Sequence, residues 1–246
     1  MFELKTLIIF TIFLIFNCNA AVKESTIRIV SEEWVGATNA DGSGTYWSIV
    51  NAIFADKYQI ERQTTTWTRA TNLVSSSNAD IIIGIFAKDK GKLLLPNIHI
   101  DIDYPVYALY DKQKNHIESA VDLSKLTVAG RRNYGFEHFI PEDTFYYGVD
   151  SIIDVDKLIF NNRVDAALVL SYNLNYANPD ASLNKTIVIP EKKLYLGFTN
   201  TPLGDELKEH YEQGMRRLLK EKKLAHFFPS PLDFQHAKLN DIEKNN

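Results

Sequence analysis

Asn39-Ala40-Asp41-Gly42-Ser43-Gly44-Thr45-Tyr46-Trp47 runs two glycines, one residue apart, into an amphipathic segment. Glycines ahead of a helix can wrap an anion in backbone N–H groups, because the first N–H groups of a helix lack an intrahelical partner. The stretch is not a dinucleotide fingerprint: Trp47 stands where the third glycine belongs, and a long loop precedes it instead of a strand end. Two readings remain. In one, Asp41, Gly44 and Tyr46 belong to a loop that grips a ligand beside the free N–H groups of the helix start. In the other, the stretch is a turn with Ser43 as the helix cap. Arg131-Arg132-Asn133-Tyr134 is the second chemical stretch. Guanidinium forks and backbone N–H groups there would suit an anion; the alternative is two solvated arginines. Glu32, Glu33, Glu137 and His138 could act as general acid or base, but none has an evident partner. The six histidines are scattered, with no H-E-x-x-H spacing and no nucleophile elbow. Neither a metal nor a cofactor is expected.

The elements that would position these residues alternate. Thr26–Val30 reads as a strand, and Tyr46, Ile49, Val50, Ile53 and Phe54 form one apolar helical stripe. Tyr58–Thr65 is a second strand, and Trp67–Val74 a short helix that Thr66 is able to cap. Asp80–Gly84 is an unbroken apolar strand, buried on both faces. This is the rhythm of a parallel sheet covered by helices. A second round follows: strands at Tyr104–Tyr110 (where Pro105 argues against a central position), Lys125–Ala129, Thr144–Val149 and Val164–Leu170, with helices at Asn133–Phe139 and Ser151–Asn161. After strands at Thr186–Pro190 and Leu194–Thr199, Thr201 and Pro202 open a long helix with acids first and lysines last. The expected architecture is therefore α/β: lobe 1 from 21–107 and 191–230, lobe 2 from 108–190, and a ligand cleft between them. Residues 231–246 read as a loose polar tail.

Residues 1–20 read as a cleaved secretory signal peptide: an apolar run over Thr6–Phe16, then Cys18-Asn19-Ala20. The run is short for a membrane span, which needs about 20 apolar residues, and Asn17 is a poor residue to precede a lipidated Cys18. With that cysteine removed the mature chain has none, so its stability rests on its core. A net charge of −4 argues against general nucleic-acid binding, and no polybasic block suggests a membrane role.

Several motifs, in order, resemble the amino-acid-type periplasmic solute-binding proteins, bacterial extracellular solute-binding family 3. They are Asp41-Gly42-Ser43-Gly44 before a helix; Trp67 followed by Asp80-Ile-Ile-Ile-Gly84; Tyr104-Pro105-Val106-Tyr107; Val121-Asp122-Leu123 followed by Thr127-Val128; and Asn162-Arg163-Val164-Asp165-Ala166. The resemblance spans about Ile27 to Phe228. Gly42–Tyr46, Trp67–Ala70 and Tyr134–Phe136 look like a divergent proteobacterial subset. It implies a two-lobed, type II fold with hinges at about Tyr104–Tyr110 and Pro190–Tyr195. It also implies a periplasmic location and a small-molecule solute delivered to an ABC permease or reported to a membrane sensor; a monomer is expected.

The departures bear on the ligand. Typical members grip the α-carboxylate with an arginine about seven residues after the Gly84 position and the α-ammonium with an aspartate about five after the Asp165 position. Gly91 and Leu170 stand there, with Lys88 in place of a threonine. A buried zwitterion would keep unpaired charges, at several kcal/mol per ion, so a standard amino acid is not the expected ligand. The resemblance places Trp34 and Arg69 near the cleft, and strand ends add Phe86, Asp150 and Ser171; each has a plainer reading as core packing or solvated surface. Asp165 is expected to hold a turn. The rival functions are a dehydratase-like enzyme on the same fold, and a degenerate module that binds a protein partner.

Overall fold

A computed structural model describes residues 25–132, 134–153, 155–240 and 242. The expected signal peptide lies outside the described residues. β1 (Ser25–Ser31) leads to α1 (Thr45–Phe54), β2 (Tyr58–Thr64), α2 (Trp67–Ser75) and β3 (Ile81–Phe86). β2 and β3 both pair parallel to β1. Ile27, Ile29, Ile81 and Ile83 face one side of this sheet, against α1; Val30, Ile82 and Ile85 face the other, against α2. Both faces are covered, which is why Ile81–Ile85 needs no polar alternation.

After β4 (Asp101–Asp103) the chain crosses at Tyr104-Pro105 into a second sheet. It contains β5 (Val106–Tyr110), β6 (Thr127–Arg131), β7 (Phe145–Val149), β8 (Ala166–Leu170) and β9 (Asn184–Ile189), with α3 (Val155–Phe160) and α4 (Leu174–Ala177) between strands. The chain returns at Pro190-Glu191 to β10 (Lys192–Phe198) in the first sheet, then α5 (Pro202–Lys220) and α6 (Pro231–His236). The sheet orders are β2-β1-β3-β10-β4 and β7-β6-β8-β5-β9. They are the same pattern twice. In each, three parallel strands are followed by an antiparallel strand that begins just after a crossing, β10 on β3 and β5 on β8. The first crossing falls two residues before the expected boundary at 107, because Val106 already pairs with Leu170. Pro105 therefore precedes the ladder, where its missing N–H costs nothing. Asp165, expected to hold a turn, instead ties the start of β6 to that of β8: its carboxylate accepts the Thr127 N–H at 2.8 Å.

Local details depart from the sequence reading. The second-lobe segments expected as helices at Asn133–Phe139 and Ser151–Asn161 shorten to a 3-10 turn at Phe136–Phe139 and to α3. Neither Ser43 nor Thr66 caps its helix through a side chain. The tail needs a larger correction. Ser230 caps α6 by accepting the Asp233 N–H, Ala237 and Leu239 are fully buried in the first lobe's core, and the His99 ring bonds the Ala237 carbonyl. Two apolar side chains at the right places outweigh the polar composition around them. Among the described residues no helix is long and apolar enough to cross a membrane.

α5 follows the sequence closely. Thr201 accepts the Gly204 N–H at 3.1 Å and Pro202 opens the helix. Thr201→Ala leaves that donor without its cap and is expected to cost about 1 kcal/mol, a fall in melting midpoint of roughly 2–4 °C. Thermal unfolding followed by circular dichroism would show it; an unchanged midpoint would mean the cap is idle.

Candidate ligand cleft

The two sheets meet at the ends of β3 and β8 and at the crossings. Phe86, the last residue of β3, lies edge-on to Phe139 of the second lobe, with ring centroids 6.0 Å apart. Lys192, the first residue of β10, stands 4.0 Å from the Phe139 centroid and 5.5 Å from that of Phe86. Lys88 approaches Phe139 at 5.2 Å. A lobe-2 ring thus rests in a socket of one ring and two ammonium groups from lobe 1. Nearer the crossing, Tyr104 meets Tyr172 at 4.9 Å, and Arg131 lies 5.2 Å from the ring of Tyr134. Tyr104 also stacks on His236 at 3.8 Å and donates to Asp233, so α6 braces the crossing.

The titrating groups carry the imprint of this crowding. Burial, then the Lys88 charge, lowers the Lys192 ammonium. Burial raises the Asp103 carboxyl, against the Tyr104 N–H it accepts and the Lys192 charge. Burial also raises Tyr172, helped by Tyr134.

The glycine stretch turns out to be closed on itself. The Thr45 N–H donates to the Gly36 carbonyl and the Tyr46 N–H to that of Ala37, both at 3.0 Å. Those helix N–H groups, expected to be free, already have partners. Gly44 makes this possible: with φ +114°, a Cβ there would sit 2.5 Å from the Ala37 oxygen. Asp41 accepts from Ser43 through both backbone N–H and hydroxyl, which lowers its carboxyl. Tyr46 is buried and donates to Asp101 at 2.8 Å. That leaves Asp101 raised to about 6, chiefly by burial.

The other candidates separate. Trp34 lies over Gly84 and meets Trp67 at 5.9 Å. Arg132 is committed within its lobe, donating to Asp150 at 2.9 Å and to the Gly148 carbonyl at 2.7 Å. The Asp150 carboxylate of the strand-end pair is therefore also engaged. Arg69 is exposed and lines a shallow groove of about 410 Å³ with Thr66, Thr68, Asn72, Leu73, Ser76 and Asn78, all from α2 and its flanks. Ser171 continues the crossing's ladder, its N–H donating to the Pro105 carbonyl. Asn133 lies outside the described residues. Of the expected residues, Phe86 is brought together with Lys88, Phe139 and Lys192, while Arg131 and Tyr134 pair with each other in lobe 2 and Tyr104 meets Tyr172 at the crossing. Tyr172 was within reach of sequence reasoning, one residue past the strand end at Ser171. Phe139 and Lys192 carry no local signal; only the pairing of two lobes brings them together.

No family model matches the chain, and no curated protein matches it in sequence. Solved structures do match in fold. One is the substrate-binding protein of an ABC uptake transporter from Streptococcus pneumoniae with bound histidine: 15% identity, TM-score 0.54, 82% of this chain and 90% of that one. Another is a histidine kinase sensor domain similar to periplasmic binding proteins: 17% identity, TM-score 0.55, 82% and 93%. A third is an ancestral amino-acid-binding protein, a precursor of cyclohexadienyl dehydratase: 14% identity, TM-score 0.54, 83% and 94%. The chain has the two-lobed, type II periplasmic-binding-protein-like fold.

Proposed function

We propose that the chain is a periplasmic solute-binding protein that closes its lobes on a small molecule. It would pass that molecule to an ABC permease or report it to a membrane sensor. The observation that carries this is the meeting of lobes through rings and cations at the ends of β3 and β8. That is where an open α/β sheet offers a crevice, and two crossings at Tyr104-Pro105 and Pro190-Glu191 allow hinge motion. A standard amino acid is not the ligand we infer. Gly91 is exposed with nothing within 4 Å of a built Cβ, and Leu170 is buried in the lobe-2 core, so neither can pair a charge.

A dehydratase-like activity has less support. Glu32 accepts the Trp67 N–H and Glu33 the Ala40 N–H, which ties both to lobe-1 structure, while Glu137 and His138 are exposed on the 3-10 turn.

The test is a thermal-shift screen of amino acids, organic acids, phosphorylated compounds, sugars and aromatic metabolites. A ligand at 100 times its Kd adds about 2.7 kcal/mol, a rise of roughly 5–10 °C. Arg131→Ala is expected to abolish the shift. Arg132→Ala is expected to keep it, because that guanidinium serves Asp150 and Gly148. No shift with any compound would remove the solute-binding reading.

A further inference from the structure

We infer that the short C-terminal helix α6 is a clamp on the hinge: it fastens one residue of each crossing to lobe 1 and leaves Pro105 and Pro190 as the pivot. The ladders define where the chain can bend. Beside the crossings, Lys192 pairs with Asp103 in lobe 1, and Val106 pairs with Ile189 in lobe 2. Between those two rungs lie only Tyr104-Pro105 and Pro190-Glu191. The α6 segment holds the residue of each pair that lies on the lobe-1 side. The Tyr104 hydroxyl donates to Asp233 at 2.7 Å, and the Tyr104 ring stacks on His236 with centroids 3.8 Å apart and planes 4° from parallel. The Lys238 ammonium, two residues past the end of α6, pairs with Glu191.

The clamp is itself anchored. Ala237 and Leu239 are buried in the lobe-1 core, the His99 ring bonds the Ala237 carbonyl, and Phe234 meets Phe228 at 5.4 Å. Both holds therefore move with lobe 1. On the other side, the Ser171 N–H donates to the Pro105 carbonyl and fixes that residue to lobe 2. A proline ring locks its own φ and restricts the residue before it. With Tyr104 held by its side chain and Pro105 by its carbonyl, little beyond the ψ of these two residues is free to turn at the first crossing. The His236 Nε2 atom is buried without a hydrogen-bond partner among the described residues, so the ring serves Tyr104 as a flat surface rather than as a polar link. A stiff pivot leaves the lobes less freedom to lose when they close. That consequence rests on the solute-binding reading; the clamp rests on the contacts alone and is tested with no solute added.

Hydrogen exchange of the full mature protein, read over residues 100–106, 188–194 and 166–170, tests it. Tyr104→Phe keeps the ring contacts and removes the hydroxyl. It is expected to speed exchange over 100–106 by about tenfold, because the lost bond goes to a carboxylate. Lys238→Met breaks a half-exposed ion pair and is expected to speed 188–194 by about twofold to fivefold. Strand β8, residues 166–170, is expected to keep its rate in both variants, and Gln235→Ala, exposed on α6, to change none of the three. Residues 21–246 contain no cysteine, so spin labels on Ser75→Cys in lobe 1 and Glu142→Cys in lobe 2, both exposed, report the distance between lobes. Combining Tyr104→Phe with Lys238→Met is expected to widen the distribution of that distance. Exchange at the unaltered rate over both crossings, or equal acceleration over 166–170, would overturn the clamp and leave solute binding standing. A distribution as narrow as that of the unaltered chain would do the same.

Discussion

Gly84→Ala is expected to lower the melting midpoint by roughly 5–20 °C, where Gly36→Ala lowers it by only a few degrees. Both glycines hold a left-handed backbone, φ +88° and +83°. Both substitutions therefore cost backbone strain of about 1–3 kcal/mol. The surroundings differ. At Gly36 a built Cβ meets nothing within 4 Å; at Gly84 it would sit 2.2 Å from the ring of Trp34. Overpacking of that kind costs about 1–3 kcal/mol more, and Trp34 cannot move without disturbing Trp67. Gly84 is also the bulged residue of β3: Tyr195 pairs with Ile85 and Leu196 with Ile83, so Gly84 has no partner across the ladder. The bulge breaks the alternation. Ile83 and Phe86 then pack on one side and Ile85 on the other, and Phe86 is turned to meet Phe139. Gly84→Ala is thus expected to shift tryptophan fluorescence and weaken any ligand of the cleft as well. Equal melting of the two variants would show that Trp34 is not seated on Gly84.

That bulge marks how far the sequence could be read. The β-branched run at Ile81–Ile83, the stripe from Tyr46 to Phe54 and the Thr201-Pro202 cap state their own roles, because each depends on residues within one turn or one strand. The repeated α/β rhythm carried the two-lobed fold. The failures share a different cause. Tyr46 reads equally well as a cleft residue until Asp101, 55 positions away, claims its hydroxyl. Arg132 looks free until β7 brings Asp150 beside it. The loop glycines look ready for an anion until Gly36 and Ala37 fold back and fill the helix start. Leu239 sits in a polar tail whose hydrophobic partners lie in another part of the chain. In each case the deciding contact is long-range, and neither composition nor periodicity encodes it. The same limit hid Lys192 and Phe139, which come from opposite lobes and acquire meaning only when the lobes meet.

Asp101→Asn is expected to remove a pH dependence worth about 3 kcal/mol. The Asp101 carboxyl titrates at about 6 in the folded chain, against about 3.9 when unfolded. Below pH ~4 it is protonated in both states and contributes no penalty. Between ~4 and ~6 the folded chain keeps the proton that the unfolded chain has lost, so stability falls as pH rises. Above ~6 the carboxylate is ionised in both, and the full penalty of about two pKa units remains. The lowered carboxyls at Asp41, Asp122, Glu206 and Glu221 work with the opposite sign at lower pH, and all four are exposed. Asparagine copies the protonated form. Its oxygen can keep the Ile102 N–H that Asp101 accepts at 2.7 Å, and its amide can donate to the Tyr46 hydroxyl, which turns from donor to acceptor. Urea unfolding of both proteins at pH 4 and pH 7 reads the result. The difference in unfolding free energy is expected to move by about 3 kcal/mol in favour of the Asn variant. A difference that stays constant across that range would place the Asp101 carboxyl in contact with water, and would detach β4 and its crossing from the buried Tyr46 hydroxyl that now holds them to α1.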